Sequence, residues 1–176
     1  MTCSIGCRFL SQNVSRLLKC YGEECLGGRM ELDKDFSEFV ELFIAHDVRF
    51  LIIGGYALAA HGLPRATGDL DAWVWISDDN ASKIISALNE FGFGDVGVTV
   101  SDFSRQDSVV QLGFPPYRID ILTSIDGVEF EDAWSRRIMV QVNHLDVPFI
   151  SRGDLIVNKT AVGRPQDVAD VKRLTE

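Results

Sequence analysis

Residues 50–71 read FLIIGGYALAAHGLPRATGDLD, and the physical signals within that stretch decide the fold. The run from Val48 to Ile53 is β-branched and aromatic and is stopped by Gly54-Gly55, the pattern of a short buried strand. Ala57 to His61 suits a small-residue helix that starts against the Gly-Gly turn. Gly62 to Gly68 is punctuated by Gly and Pro as a loop. Asp69 to Ile76 then reads as a second strand. Successive side chains of a strand alternate faces, so Asp69 and Asp71 share one side while Leu70 and Ala72 take the other.

Working outward from this core, Asp35, Phe36, Phe39, Val40 and Phe43 recur at helical spacing behind Asp33, which predicts an N-capped amphipathic helix from about Lys34 to His46. Downstream, Ser77-Asp-Asp-Asn predicts the cap of a helix from about Ala81 to Phe91. Val98 to Val100, Ser108 to Leu112, Tyr117 to Leu122 (after a Pro115-Pro116 turn), Val140 to Val142 and Val147 to Ile150 read as strands. Ser151 to Thr175 predicts two short helices separated at Gly163-Arg164-Pro165, with Pro165 suited to the first turn of the second. The expected class is therefore α/β (α+β): one mixed β-sheet flanked by helices, ending in a short C-terminal helical tail at about 151–175.

The chemistry concentrates on three carboxylates. Asp69 and Asp71 on one strand face repel each other, so a cation is expected between them. Mg²⁺ is the natural candidate, with Mn²⁺ the alternative, because both take hard oxygen ligands and leave positions for substrate phosphates. Asp120 lies mid-strand between Ile119 and Ile121, where an unpaired carboxylate is costly. A position facing the metal relieves that cost and allows a two-metal site. Gly54 and Gly55 let the backbone approach a triphosphate closely.

Taken in order, Ile53-Gly-Gly-Tyr-Ala57, Thr67-Gly-Asp-Leu-Asp71 and Arg118-Ile-Asp120 resemble the nucleotidyltransferase superfamily, the polymerase-β-like fold. The likeness is closer to small bacterial toxin–antitoxin-type members. It runs through Gly54 to Asp71 and continues in Asp154-Leu-Ile-x-x-Lys159 and Gly163-Arg-Pro-x-Asp167, spanning about Met30 to Leu174. The resemblance implies Asp69, Asp71 and Asp120 as catalytic, metal-binding residues and Gly54 and Gly55 as the phosphate cradle. Just before the Asp pair, Arg65 reads as a phosphate clamp or a loop arginine in solvent, and Thr67 as a hydroxyl that orients a carboxylate or an ordinary turn residue. Lys159 is read as a cleft cation facing the triphosphate, with a solvated helix lysine the alternative.

Several prominent residues receive plainer roles. Arg164 and Asp167 stand i, i+3 on one helix and can pair, which makes Asp167 structural and leaves Arg164 open. His61 reads as a packing histidine. Trp73 and Trp75 read as core with room for one stacking role, and His46 and His144 are assigned nothing.

Composition bounds the rest. A chain of 176 residues that is 46% hydrophobic supports one core: a Cys-containing leader over 1–29 and a single domain over 30–176. The longest apolar stretch, Phe50 to Leu63, contains His61 and two glycines and falls short of the roughly 20 residues of a membrane span. No secretory signal is read at the N-terminus, and a cytoplasmic location is the expectation. Cys3, Cys7, Cys20 and Cys25 read as reduced thiols, with a leader zinc site the lesser alternative. The formal net charge is −9, yet residues 133–176 carry seven Lys/Arg against five Asp/Glu. A phosphate-rich partner is therefore expected at the C-terminal part.

The expected function is transfer of a nucleoside monophosphate from an NTP to a hydroxyl of a protein, an RNA 3′ end or a small molecule, in a toxin–antitoxin or defence setting with a cognate partner protein. The other class kept open is a non-catalytic nucleotide- or partner-binding module. A dinucleotide-dependent oxidoreductase is excluded, since Gly54-Gly55 lacks the G-x-G-x-x-G spacing.

Overall fold

A computed structural model describes residues 3–4, 32–94, 97–114 and 117–176. The leader's cysteines Cys7, Cys20 and Cys25, the side chain of Cys3 and the Pro115-Pro116 turn lie outside the described residues.

Fourteen elements set the frame, beginning with β1 (Cys3–Ser4), α1 (Lys34–Ala45), β2 (Phe50–Ile52), α2 (Gly54–Ala60) and β3 (Asp69–Val74). Then come α3 (Asp78–Leu88), α4 (Val100–Phe103), β4 (Val109–Phe114), β5 (Tyr117–Leu122) and α5 (Phe130–Arg136). β6 (Ile138–Val142), β7 (Leu145–Phe149) and α6 (Arg152–Val162) lead to the last helix, α7 (Pro165–Thr175). The strands form one mixed sheet in the order β1-β4-β5-β3-β2-β7-β6. β3 runs parallel to β5 and antiparallel to β2, while β4–β5 and β6–β7 are antiparallel pairs.

Local chemistry explains where the elements begin. The Asp33 side chain accepts the Asp35 N–H at 3.1 Å and starts α1; Ser77 does the same for Asn80 at the head of α3, and Ser151 for Asp154 at the head of α6. α6 ends at Gly163 with φ +67, and Pro165 occupies the first turn of α7, the asymmetry expected of helix ends. The core is aromatic: Phe39, Phe43 and Phe50 are fully buried or nearly so, with Phe39–Phe43 centroids 4.1 Å apart and Phe43 meeting Phe50 edge-on at 5.4 Å. Leu70, Ala72 and Val74 belong to the same core, so one face of β3 is apolar and the other is free to carry Asp69 and Asp71.

Three details differ from the sequence reading. Val98 to Val100 is not a strand: Val100–Phe103 is a helical turn, because Thr99 and Asp102 close a reciprocal capping box that overrides the β-branched run. α5 is an additional helix, buried through Phe130 and Ala133. Gly54-Gly55 is the first turn of α2 itself rather than a loop before it. No helix among the described residues is long and apolar enough to cross a membrane.

Candidate functional site

The register of β3 against β5 assembles the site. Asp69 stands opposite Arg118 and Asp71 opposite Asp120, so the period-2 rule puts all four side chains on one face of the sheet. Gly54, Asp71, Trp73 and Asp120 line a cleft of about 650 Å³, to which α6 and α7 add Lys159 and Arg164. Trp73 and Trp75 also line this cleft. Trp73 is nonetheless buried, edge-on to Phe130 at 5.0 Å, with its indole N–H donating to the Thr123 carbonyl.

A cationic side chain bridges Asp69 and Asp120. Arg118 donates from Nη2 to Asp69 Oδ2 at 2.8 Å and to Asp120 Oδ2 at 3.0 Å, and from Nε to Asp120 Oδ1 at 2.7 Å. Gln111 Nε2 reaches both Asp120 oxygens at 3.3 Å. The premise that Asp120 is an unpaired mid-strand carboxylate is thereby corrected: Arg118 and Gln111 meet its burial cost. Sequence reasoning passed over Arg118, although Arg118-x-Asp120 carries the same period-2 signal as Asp69-x-Asp71.

Asp71 is different. Among the described residues nothing donates a hydrogen bond to its carboxylate. Burial first, then the Asp120 and Asp69 charges, push its pKa up to about 6, against the opposing pull of Arg118 and Arg164. Asp69 is also raised, chiefly by burial, with Arg118 opposing. A half-buried carboxylate to which no described residue donates, flanked by two more on the same face, is a donor set suited to a hard divalent ion. No group of three or more His, Cys, Asp or Glu side chains among the described residues already encloses such a position; Arg118 stands between two of the three.

The glycines fit tightly against these residues. Gly54 has φ +65, and a Cβ there would collide with the Asp71 carboxylate; a Cβ on Gly55 would lie 2.8 Å from Thr67 Oγ1. Gly54→Ala is therefore expected to cost about 1–3 kcal/mol from the left-handed backbone alone, and to displace Asp71 as well. Gly62→Ala, at φ +83 in open space, isolates the backbone cost. Thermal unfolding of both should show the larger loss at Gly54.

The remaining expected site residues are placed elsewhere. The Thr67 hydroxyl donates to the Asp69 backbone carbonyl at 3.2 Å, not to a carboxylate. Arg65 Nε lies 3.7 Å from Asp170 Oδ2 and makes no hydrogen bond. Lys159 is buried, its ammonium donating to Asp167 Oδ1 at 3.0 Å and Asp170 Oδ2 at 2.8 Å, so it is a cross-link between α6 and α7. Arg164 pairs with Asp167 at 2.6 Å as the i, i+3 spacing suggests, yet its own side chain is 72% exposed. Burial raises the Asp167 pKa, but the hydrogen bonds from Arg164 and Lys159 outweigh it and hold the carboxyl below its usual range. His61 Nε2 donates to the Ile150 carbonyl at 2.9 Å, a packing role.

Comparison with known proteins agrees with this architecture. A family model described as "Nucleotidyltransferase of unknown function (DUF6036)" matches residues 30–175. A Thermotoga maritima protein described as a candidate nucleotidyltransferase shares the fold at 14% identity and TM-score 0.52, over 80% of this chain and 89% of its own. A lincosamide antibiotic adenylyltransferase, solved with lincomycin bound, does so at 18% identity and TM-score 0.53, over 85% of this chain and 99% of its own. None of the curated proteins compared is similar enough in sequence to match.

Proposed function

Because the chain belongs to this family of nucleotidyltransferases, we propose that it moves a nucleoside monophosphate from an NTP to a hydroxyl group at the cleft around Asp71. The observation that carries this reading is the register of Asp71 with Asp120 across β3 and β5, with Asp69 two residues earlier on the same face. In the reaction the acceptor hydroxyl releases its proton to water as its oxygen bonds to the α-phosphorus, the bond from that phosphorus to the bridging β-phosphate oxygen breaks, and pyrophosphate leaves with the electron pair.

Asp69, Asp71 and Asp120 would hold Mg²⁺ or Mn²⁺, which supplies neutralisation of the phosphate charge and activation of the acceptor oxygen. The residues have separate tasks. Asp71 presents the carboxylate to which no described residue donates, and Gly54 keeps the α2 backbone close against it. Arg164, exposed on the cleft wall, is better placed than buried Lys159 to meet phosphate.

Acceptor candidates are a protein, an RNA 3′ end or a small molecule. A cleft of about 650 Å³ falls within the size range of small-molecule sites, and a net charge of −9 disfavours a broad nucleic-acid footprint. The toxin–antitoxin or defence setting, with a cognate partner protein and a cytoplasmic location, rests on the sequence resemblance. Incubating the protein with each α-³²P-labelled NTP, Mg²⁺ and cell lysate, followed by protease or RNase digestion, tests the reading and names the acceptor class. Label that depends on Asp71 supports transfer. A second reading, a non-catalytic nucleotide- or partner-binding module, is favoured by the guanidinium between Asp69 and Asp120; nucleotide binding with no label for any NTP would select it.

A further inference from the structure

Arg118 is more than a neighbour of the site. Its guanidinium spans from Asp69 to Asp120, and with Gln111 it brings four donor contacts to the two Asp120 oxygens, Nε and Nε2 on Oδ1 and Nη2 and Nε2 on Oδ2. A carboxylate offers about four lone-pair positions, so Asp120 has none left for an ion. A further Arg118 contact, Nη2 to Asp69 Oδ2, engages a second carboxylate of the proposed donor set.

We propose that Arg118 is the site's resident counter-cation and competes with the divalent ion for Asp69 and Asp120, so that the ion enters fully only together with the nucleotide. The inference rests on the nucleotidyl-transfer reading above. Its physical basis is charge and occupancy. A guanidinium carries one positive charge and hydrogen-bonds at 2.7–3.0 Å, whereas Mg²⁺ needs oxygens at about 2.0–2.1 Å. Both cannot hold the same oxygens in full. Nucleotide phosphates change the balance by bringing oxygen ligands for the ion and an alternative acceptor for the freed guanidinium. Without nucleotide, Arg118 keeps the carboxylates from repelling one another.

Mn²⁺ affinity of the purified protein, measured by loss of the free-ion electron paramagnetic resonance signal, tests this without any turnover. It is read with and without an ATP analogue carrying a methylene bridge between its α- and β-phosphates, binding in the ternary complex being the Mn²⁺ and analogue retained with the protein in equilibrium dialysis, since the analogue alone also removes the free-ion signal. Wild type should bind Mn²⁺ weakly alone and tightly with the analogue. Arg118→Gln, which preserves bulk but not charge, should tighten Mn²⁺ binding without nucleotide by on the order of 10–100-fold. Arg118→Lys, which cannot fork between two carboxylates, should fall between. Should Arg118→Gln fail to fold, Gln111→Leu frees two contacts on Asp120 and should tighten Mn²⁺ binding more modestly. A variant that loses thermal stability yet binds Mn²⁺ no more tightly than wild type assigns Arg118 a structural role and overturns the inference alone. Absence of Mn²⁺ binding by wild type even with the analogue overturns the nucleotidyl-transfer reading and this inference together.

Discussion

Asp71→Asn is expected to remove nucleotidyl transfer, by roughly 10²–10³-fold or more, while making the folded chain more stable at neutral pH. The two effects have one cause. Asp71 is half-buried beside Asp69 and Asp120, no described residue donates to it, and its pKa rises from 3.8 to about 6. Holding it ionised in the fold therefore costs about 3 kcal/mol at about 1.36 kcal/mol per pH unit. The sign follows from proton counts: between 3.8 and about 6 the folded state binds more protons than the unfolded state, so stability falls as pH rises through that window. Asparagine has no charge to lose. Its stability advantage should be absent near pH 3, grow between pH 4 and 6, and level off on the order of 1–3 kcal/mol above that. Urea unfolding across pH gives the stability curve, and labelling with α-³²P-NTP gives the activity. A variant that unfolds more readily at pH 8 would show that Asp71 is paired in the fold rather than held free for a cation.

Much of this was legible beforehand because it depends on short-range rules. The period-2 alternation put Asp69 and Asp71 on one face, and the β-branched run to Ile53 gave the buried strand. Ser77, Ser151 and Pro165 announced their helices through caps and first turns. What escaped was set by other forces. The reciprocal bonds of Thr99 and Asp102 turned a β-branched segment into a helical turn. Arg118 has no role in the sequence reading, where Asp120 is judged by its apolar neighbours Ile119 and Ile121. Read by the same alternation, Arg118 and Asp120 had to share a face, and a cation two residues from a candidate ligand is a physical signal. Lys159 could not have been placed by spacing, since its partners Asp167 and Asp170 lie beyond the Gly163-Arg164-Pro165 turn on another helix.

That placement makes Lys159 the position of the second large effect. Lys159→Met removes the ammonium from between two carboxylates whose side chains are 3% and 4% exposed. Asp167 keeps its contact with Arg164, but among the described residues Asp170 is left with only Arg65, 3.7 Å away. Breaking a buried pair from one side leaves an uncompensated charge, and the expected loss is about 3–5 kcal/mol, measured by urea unfolding. The double variant Lys159→Met/Asp170→Leu should recover a substantial part, because it removes the stranded charge as well, and the difference from additivity reports the coupling. A phosphate-binding lysine would behave otherwise: its loss would weaken NTP affinity and leave stability nearly unchanged. Both quantities, measured at a temperature where the single variant remains folded, therefore separate a cleft cation from a cross-link. The geometry expects the stability term to dominate, with NTP affinity falling only as far as the displaced α7 takes Arg164 with it.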